Sequence, residues 1–148
     1  MNSDKMKNNT IKIFTLLVSL LYMVFGAIHI AEGLGIDTGL RAALFVSADI
    51  LGGFSLLVIG TVFFYGFREL NSGLNEGISF VYVGMIISLV FMLVYILVGA
   101  GTLLDSFLLP EDYVEWHIVD QLRPGIYLGI PVLAAFLTWR NRFTAIKL

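Results

Sequence analysis

Four long apolar runs, separated by short polar segments, dominate the chain. They cover residues 12–32, 42–66, 77–105 and 122–140. A helix needs about 20 apolar residues to cross the hydrocarbon core of a bilayer, and each run is close to that length. The runs also lack the alternation of lipid-facing and lumen-facing residues that is typical of barrel strands. The pattern predicts an all-α integral membrane protein, with four transmembrane helices in a bundle and one domain over residues 1–148.

The segment between the third and fourth runs predicts a short additional helix over residues 110–121. Pro110 suits the first position of a helix, and two acidic residues that suit the first turn follow it. Tyr113, Trp116 and Val119 then fall on one stripe of that helix. Aromatic residues on one face are typical of helices anchored at the membrane surface, so we expect this helix to lie in the interface.

The composition supports a membrane location and excludes several classes of function. Of the 148 residues, 58% are hydrophobic and 14% are charged, and the mean hydropathy is +0.90, which is unlike a soluble domain. The chain has no cysteine, which excludes disulfides, thiolate metal ligands and cysteine nucleophiles. It also has no phosphate loop, serine-hydrolase or zinc-protease motif, and no basic patch suited to nucleic acid. We therefore expect contact with membrane lipids and not with nucleic acid.

The basic residues predict the orientation of the chain in the membrane. With an even number of spans, seven of the nine basic residues fall on one side and two on the other. The seven are Lys5, Lys7, Lys12, Arg68, Arg140, Arg142 and Lys147, and the two are Arg41 and Arg123. Because cytoplasmic loops carry an excess of Lys and Arg, we expect a multi-pass protein of the cell membrane with both termini in the cytoplasm.

Both histidines stand three residues before an acid. His29 precedes Glu32, and His117 precedes Asp120, and residues at this spacing share a helix face. The predicted topology brings both pairs to the outer side of the membrane. It also brings Asp49 there, which a rise of 1.5 Å per residue places about 10 Å inside the start of the second helix. We expect these side chains to line a polar pocket in the outer leaflet.

Several chemistries suit such a pocket. Two imidazoles and three carboxylates, from His29, Glu32, Asp49, His117 and Asp120, would suit a divalent metal ion, because paired histidines and carboxylates on facing helices build metal sites. In an enzyme, Asp49 or Glu32 would be the candidate general base. Arg123 and Asp120 are candidates for binding a lipophilic small molecule with a polar head.

Other interpretations stay open at this point. His29 and His117 could be axial ligands of haem b, with Arg123 near a propionate, although the surrounding acids disfavour an anionic cofactor. The chain could instead be a non-catalytic accessory subunit whose stripes of small residues contact other membrane subunits or a second copy of itself. In that case the acids would only neutralise Arg41 or Arg123. A proton or cation relay fits less well, because the predicted cytoplasmic half has few polar side chains.

Overall fold

The protein is all-helical throughout the range that the structure covers. This computed structural model describes residues 2–108 and 123–143, and the side chains of residues 8–108 and 123–141. The helices are α1 (Asn2–Gly33), α2 (Arg41–Leu44), α3 (Ile50–Asn71), α4 (Glu76–Leu108) and α5 (Pro124–Phe143). The predicted all-α class is confirmed. The predicted interfacial helix at 110–121 lies outside the described residues.

Within the described residues, three helices are long and apolar enough to cross a membrane. These segments are Asn8–Gly33, Ile50–Asn71 and Glu76–Leu108. Large apolar side chains cover their outer surfaces; Leu51, for example, is 80% exposed and Leu97 is 62% exposed. Exposed apolar area on this scale is unfavourable in water and favourable in lipid. The chain is therefore an integral membrane protein, and α5 is a further long helix that packs mainly against α4.

The long helices pack in the order in which they occur along the chain. α1 contacts α3 most extensively, α3 contacts α4, α4 contacts α5, and a smaller contact joins α1 to α5. Neighbouring helices run antiparallel. Near the start of α3, Gly53 lies against Gly26 toward the end of α1, and further along α3, Gly60 lies against the earlier residue Met23. The interior between the helices includes Tyr22, Leu56, Ile59, Phe63, Met85 and Val132.

Glycines set the distance between α1 and α3. A Cβ atom added to Gly53 would lie 2.8 Å from the carbonyl oxygen of Gly26 and 2.8 Å from the Cβ of His29. A Cβ added to Gly60 would lie 2.8 Å from the Cγ of Met23. Only residues without a side chain allow helices to approach this closely. The spacing of Gly53 and Gly60 in the sequence therefore marks a helix contact surface.

Hydroxyl groups buried between the long helices form hydrogen bonds that join one helix to another. The Tyr22 hydroxyl pairs with the Ser88 Oγ at 2.5 Å, which joins α1 to α4. The Ser19 Oγ donates to the carbonyl of Gly60 at 2.9 Å, which joins α1 to α3. Because an unpaired polar group is costly in a membrane interior, these bonds fix the relative positions of the helices.

The second long helix begins at Ile50 and not at residue 42 as predicted. Residues 34–49 form a loop, the single turn α2 and a non-helical connection into α3. α2 ends at Leu44, because the next residue, Phe45, has a left-handed φ of 52° that stops the helical turn. The apolar run therefore contains a break that its hydropathy does not reveal.

Asp49 lies at the start of α3 and not inside it. Its backbone is extended, with φ −137° and ψ 99°, and its Oδ1 accepts a hydrogen bond from the backbone N–H of Gly52 at 3.0 Å. This is the geometry of a helix N-cap, which satisfies one of the free N–H groups of the first turn. The prediction that Asp49 lies about 10 Å within the helix is wrong, because the helix begins directly after it.

Candidate functional site

Polar side chains from four segments gather where α1 ends and where α3 and α5 begin, a region we call the His29 end. α1 contributes His29, the connection before α3 contributes Asp49, α4 contributes Tyr95, and Arg123 directly precedes α5. Asp49 and Arg123 both lie within electrostatic range of His29 and of Tyr95. The structure therefore brings together three of the residues singled out in the sequence and adds Tyr95 to them.

Tyr95 holds Arg123 in place. The guanidinium carbon of Arg123 lies 5.6 Å from the centre of the Tyr95 ring. A Cβ added to Gly52 would lie 2.6 Å from the Tyr95 hydroxyl, and one added to Gly125 would lie 2.6 Å from its Cε2. The two glycines thus leave room for the ring, and the ring supports the guanidinium through a cation–π contact.

His29 is fully buried, and both of its ring nitrogens lack a hydrogen-bond partner in the described part of the chain. The backbone carbonyl of Ser47 lies near the ring, but no contact between them has hydrogen-bond geometry. The Ser47 Oγ is also buried without a partner among the described residues. Buried polar atoms are nearly always hydrogen-bonded, so two such side chains close together mark this region as a candidate binding site.

A cavity of about 510 Å³ opens at the His29 end. The described residues that line it are Arg41, Ala42, Phe45, Val46, Ser47 and Arg123. The volume is in the range typical of small-molecule sites, which combine apolar walls with a few polar groups. Most of the lining comes from α2 and the connection after it, which the sequence predicted as part of a transmembrane helix. The sequence therefore did not predict this part of the cavity lining, because most of its residues lie within an apolar run.

α2 is held in position by a hydrogen bond to α5. The Tyr127 hydroxyl donates to the backbone carbonyl of Leu44 at 2.9 Å. The Tyr127 ring also packs edge-on against Phe25, with ring centres 5.6 Å apart. The cavity wall is thus fixed to the helices beneath it.

Glu32 faces the loop after α1 and does not share the His29 cluster. Its Oε1 accepts hydrogen bonds from the backbone N–H of Thr38 at 2.9 Å and from the Thr38 hydroxyl at 2.6 Å. Residues three apart are about 60° apart around a helix, which is enough to turn Glu32 toward the loop. The described contacts give this carboxylate a structural role in holding the loop.

The candidate metal ligands are only partly described. His29 and Asp49 come together, whereas Glu32 bonds to the loop, and His117 and Asp120 lie outside the described residues. In the ranges that the structure covers, no three His, Cys, Asp or Glu side chains form a group suited to a metal ion. The five-residue metal site and the haem site of His29 and His117 stay predictions.

Comparison with known proteins places this architecture in a family. Residues 5–141 match the family described as the MJ0565 integral membrane domain. The uncharacterized protein MJ0565 of Methanocaldococcus jannaschii is 28% identical over 128 residues, which cover 85% of this chain and 86% of the relative. No solved structure matches the chain. The family description agrees with the apolar helices, and the match covers nearly the whole chain.

Proposed function

We propose that this chain, which belongs to the MJ0565 integral membrane domain family, binds a lipophilic molecule with a polar head at its His29 end. The cavity there is the observation that carries the proposal. Phe45 and Val46 supply apolar wall, and Arg41, Ser47 and Arg123 supply hydrogen-bond donors. This combination suits an amphiphile whose head meets the polar groups while its chain contacts the apolar ones.

The loop that leads into the cavity supports entry from the membrane. Leu34 is 65% exposed, Ile36 is 58% exposed and Phe45 is 42% exposed. Exposed apolar side chains next to polar ones are typical of segments that lie in the membrane interface. Because Phe45 is both exposed and part of the cavity lining, we expect an amphiphile to enter the cavity from lipid past this side chain.

The hydrogen bonds of the two acids support binding in preference to catalysis. The Oδ1 of Asp49 already accepts from the N–H of Gly52, and the Oε1 of Glu32 already accepts two bonds from Thr38. A general base must be able to reach the proton that it removes, and neither carboxylate is among the described residues that line the cavity. The polar groups that face the cavity are instead donors suited to holding a head group.

A pair of substitutions within α2 tests the proposal. Ala42 lines the cavity and Ala43 does not, although both are exposed residues of the same helical turn. Each is replaced by Trp, and the full-length protein is placed in phosphatidylcholine nanodiscs. Binding of radiolabelled 12-carbon probes with phosphate, carboxylate, alcohol and amine heads is then measured against empty nanodiscs.

We expect at least one probe to bind the wild-type protein. Ala42→Trp should weaken that binding about tenfold or more, because the indole fills space that the ligand needs, whereas Ala43→Trp should leave it unchanged. The melting temperature of each variant shows that both remain folded. Absence of binding by every probe, or equal binding by both variants, would overturn the proposal and favour the accessory-subunit interpretation.

A further inference from the structure

We infer that the head group is anionic, a phosphate or a carboxylate held by Arg41 and Arg123; this inference rests on the proposed function of the cavity. The described lining contains two ionisable residues, and both are arginines. One belongs to α2 and the other directly precedes α5, so separate segments bring two positive charges to one volume. Like charges that share a site repel each other, and an anion between them offsets that repulsion.

The nearby acids do not take the place of such an anion. Asp49 caps α3 through its Oδ1, and Glu32 holds the loop through its Oε1. Neither carboxylate lines the cavity. Both reduce the positive potential around the site, which favours a head group of low charge over a multiply charged anion.

Arg123 is oriented in advance for such a ligand. Its guanidinium is supported by the face of the Tyr95 ring, with its central carbon 5.6 Å from the ring centre. A guanidinium has five N–H donors in a planar fork, which matches the two oxygens of a carboxylate or a phosphate. Contacts with Tyr95 fix the plane of the fork while leaving further donors for a ligand.

Ser47 adds a neutral group to the two cations. Its Oγ is buried and unpaired among the described residues, and Ser47 lines the same cavity. A hydroxyl can donate to an anionic oxygen, and such charge-assisted bonds are stronger than those between neutral groups. Two guanidinium groups and one hydroxyl therefore form a donor set for a single anionic head.

The test compares four probes that share a 12-carbon chain and differ in the head. Dodecyl phosphate and dodecanoate carry an anionic head, dodecanol is neutral, and dodecylamine is cationic. Each is titrated onto the wild-type protein and onto Arg41→Gln and Arg123→Gln in phosphatidylcholine nanodiscs. Arg68→Gln is the matched control, because Arg68 is an exposed arginine of α3 that does not line the cavity.

We expect the anionic probes to bind at least tenfold more tightly than dodecanol and dodecylamine. Each cavity substitution should remove about ten- to hundredfold of that affinity, the size expected for a charge-assisted bond, and Arg68→Gln should have no effect. Arg123→Lys keeps the positive charge but lacks the planar guanidinium, so its affinity for the anionic probes should lie between those of the wild type and Arg123→Gln. If melting shows that Arg123→Gln is unfolded, Arg41→Gln and Ser47→Ala provide the same test.

The outcomes separate this inference from the proposed function. If all four probes bind equally and Ala42→Trp still weakens their binding, the inference of an anionic head is overturned. The cavity then remains a ligand site. If inorganic phosphate competes as well as dodecyl phosphate, the site binds a free anion; the lipophilic ligand of the proposed function is then overturned, whereas anion binding by the two arginines is supported. No binding by any probe would overturn both the proposed function and this inference.

Discussion

At the scale of single residues, glycines determine how closely the helices approach one another and where larger side chains fit. Gly53 allows the backbone of α1 to approach α3, and Gly52 and Gly125 leave room for the ring of Tyr95. The sequence indicates helix contacts through small residues at helical spacing. It does not indicate which aromatic ring fills the space beside them, because that depends on the rotation of α4. Tyr95 was therefore missed as a member of the candidate site.

Gly53→Ala should destabilise the protein by about 1–3 kcal/mol, the usual cost of overpacking an interior. The new methyl group would lie 2.8 Å from a backbone oxygen of α1, and backbone cannot move aside as a flexible side chain can. Gly101→Ala is the control, because no described atom lies within 4 Å of its added Cβ and alanine favours a helix interior. Denaturant titration of the purified protein measures both. Similar unfolding midpoints for the two variants would contradict the close approach of α1 and α3.

At the scale of elements, the largest difference from the sequence prediction is in the run at 42–66. Hydropathy predicts one helix there, since no proline interrupts residues 42–49. In the structure the run contains the turn α2, the left-handed Phe45 and the cap Asp49. Asp is a known signal for a helix start, but here apolar and small residues on both sides of it also permit a continuous helix. Tertiary contacts, such as that between Tyr127 and Leu44, decide between these two structures.

Substitutions at Asp49 distinguish a helix cap from a buried charge. Asn is as good an N-cap as Asp, so Asp49→Asn should keep nearly the stability of the wild type. Asp49→Ala removes the acceptor for the Gly52 N–H and should cost about 0.5–2 kcal/mol. The free energy of unfolding of the two variants measures the difference. An equal loss in both would show that the negative charge matters and that the cap does not.

At the scale of the whole molecule, the sequence predicts the fold class correctly because the apolar runs are long and the connections between them are short. Consecutive helices then pack as antiparallel neighbours, which brings His29, Asp49 and Arg123 to one end. The candidate site was only partly predictable. Helix order determines which residues share an end of the molecule. It does not predict local hydrogen bonds such as those from Thr38 to Glu32, which hold Glu32 toward the loop and away from His29.

The distribution of basic residues predicts that the His29 end faces away from the cytoplasm. Because the chain has no cysteine, single-cysteine variants can be labelled without background. We expect Asp37→Cys, in the loop at the His29 end, to react with an impermeant maleimide added to intact cells. Asn75→Cys, in the loop between α3 and α4, should react only after the cells are opened. The reverse labelling pattern would contradict the predicted orientation.

The extensive glycine-based contact between α1 and α3 has a consequence for how the protein is made. Both partners emerge from the ribosome early, so this first hairpin can pair in the membrane while α4 and α5 are still being synthesised. The bond from Tyr127 to Leu44 can form only after α5 has arrived. We therefore expect the tightest contact to assemble first during biogenesis and the cavity at the His29 end to be completed last.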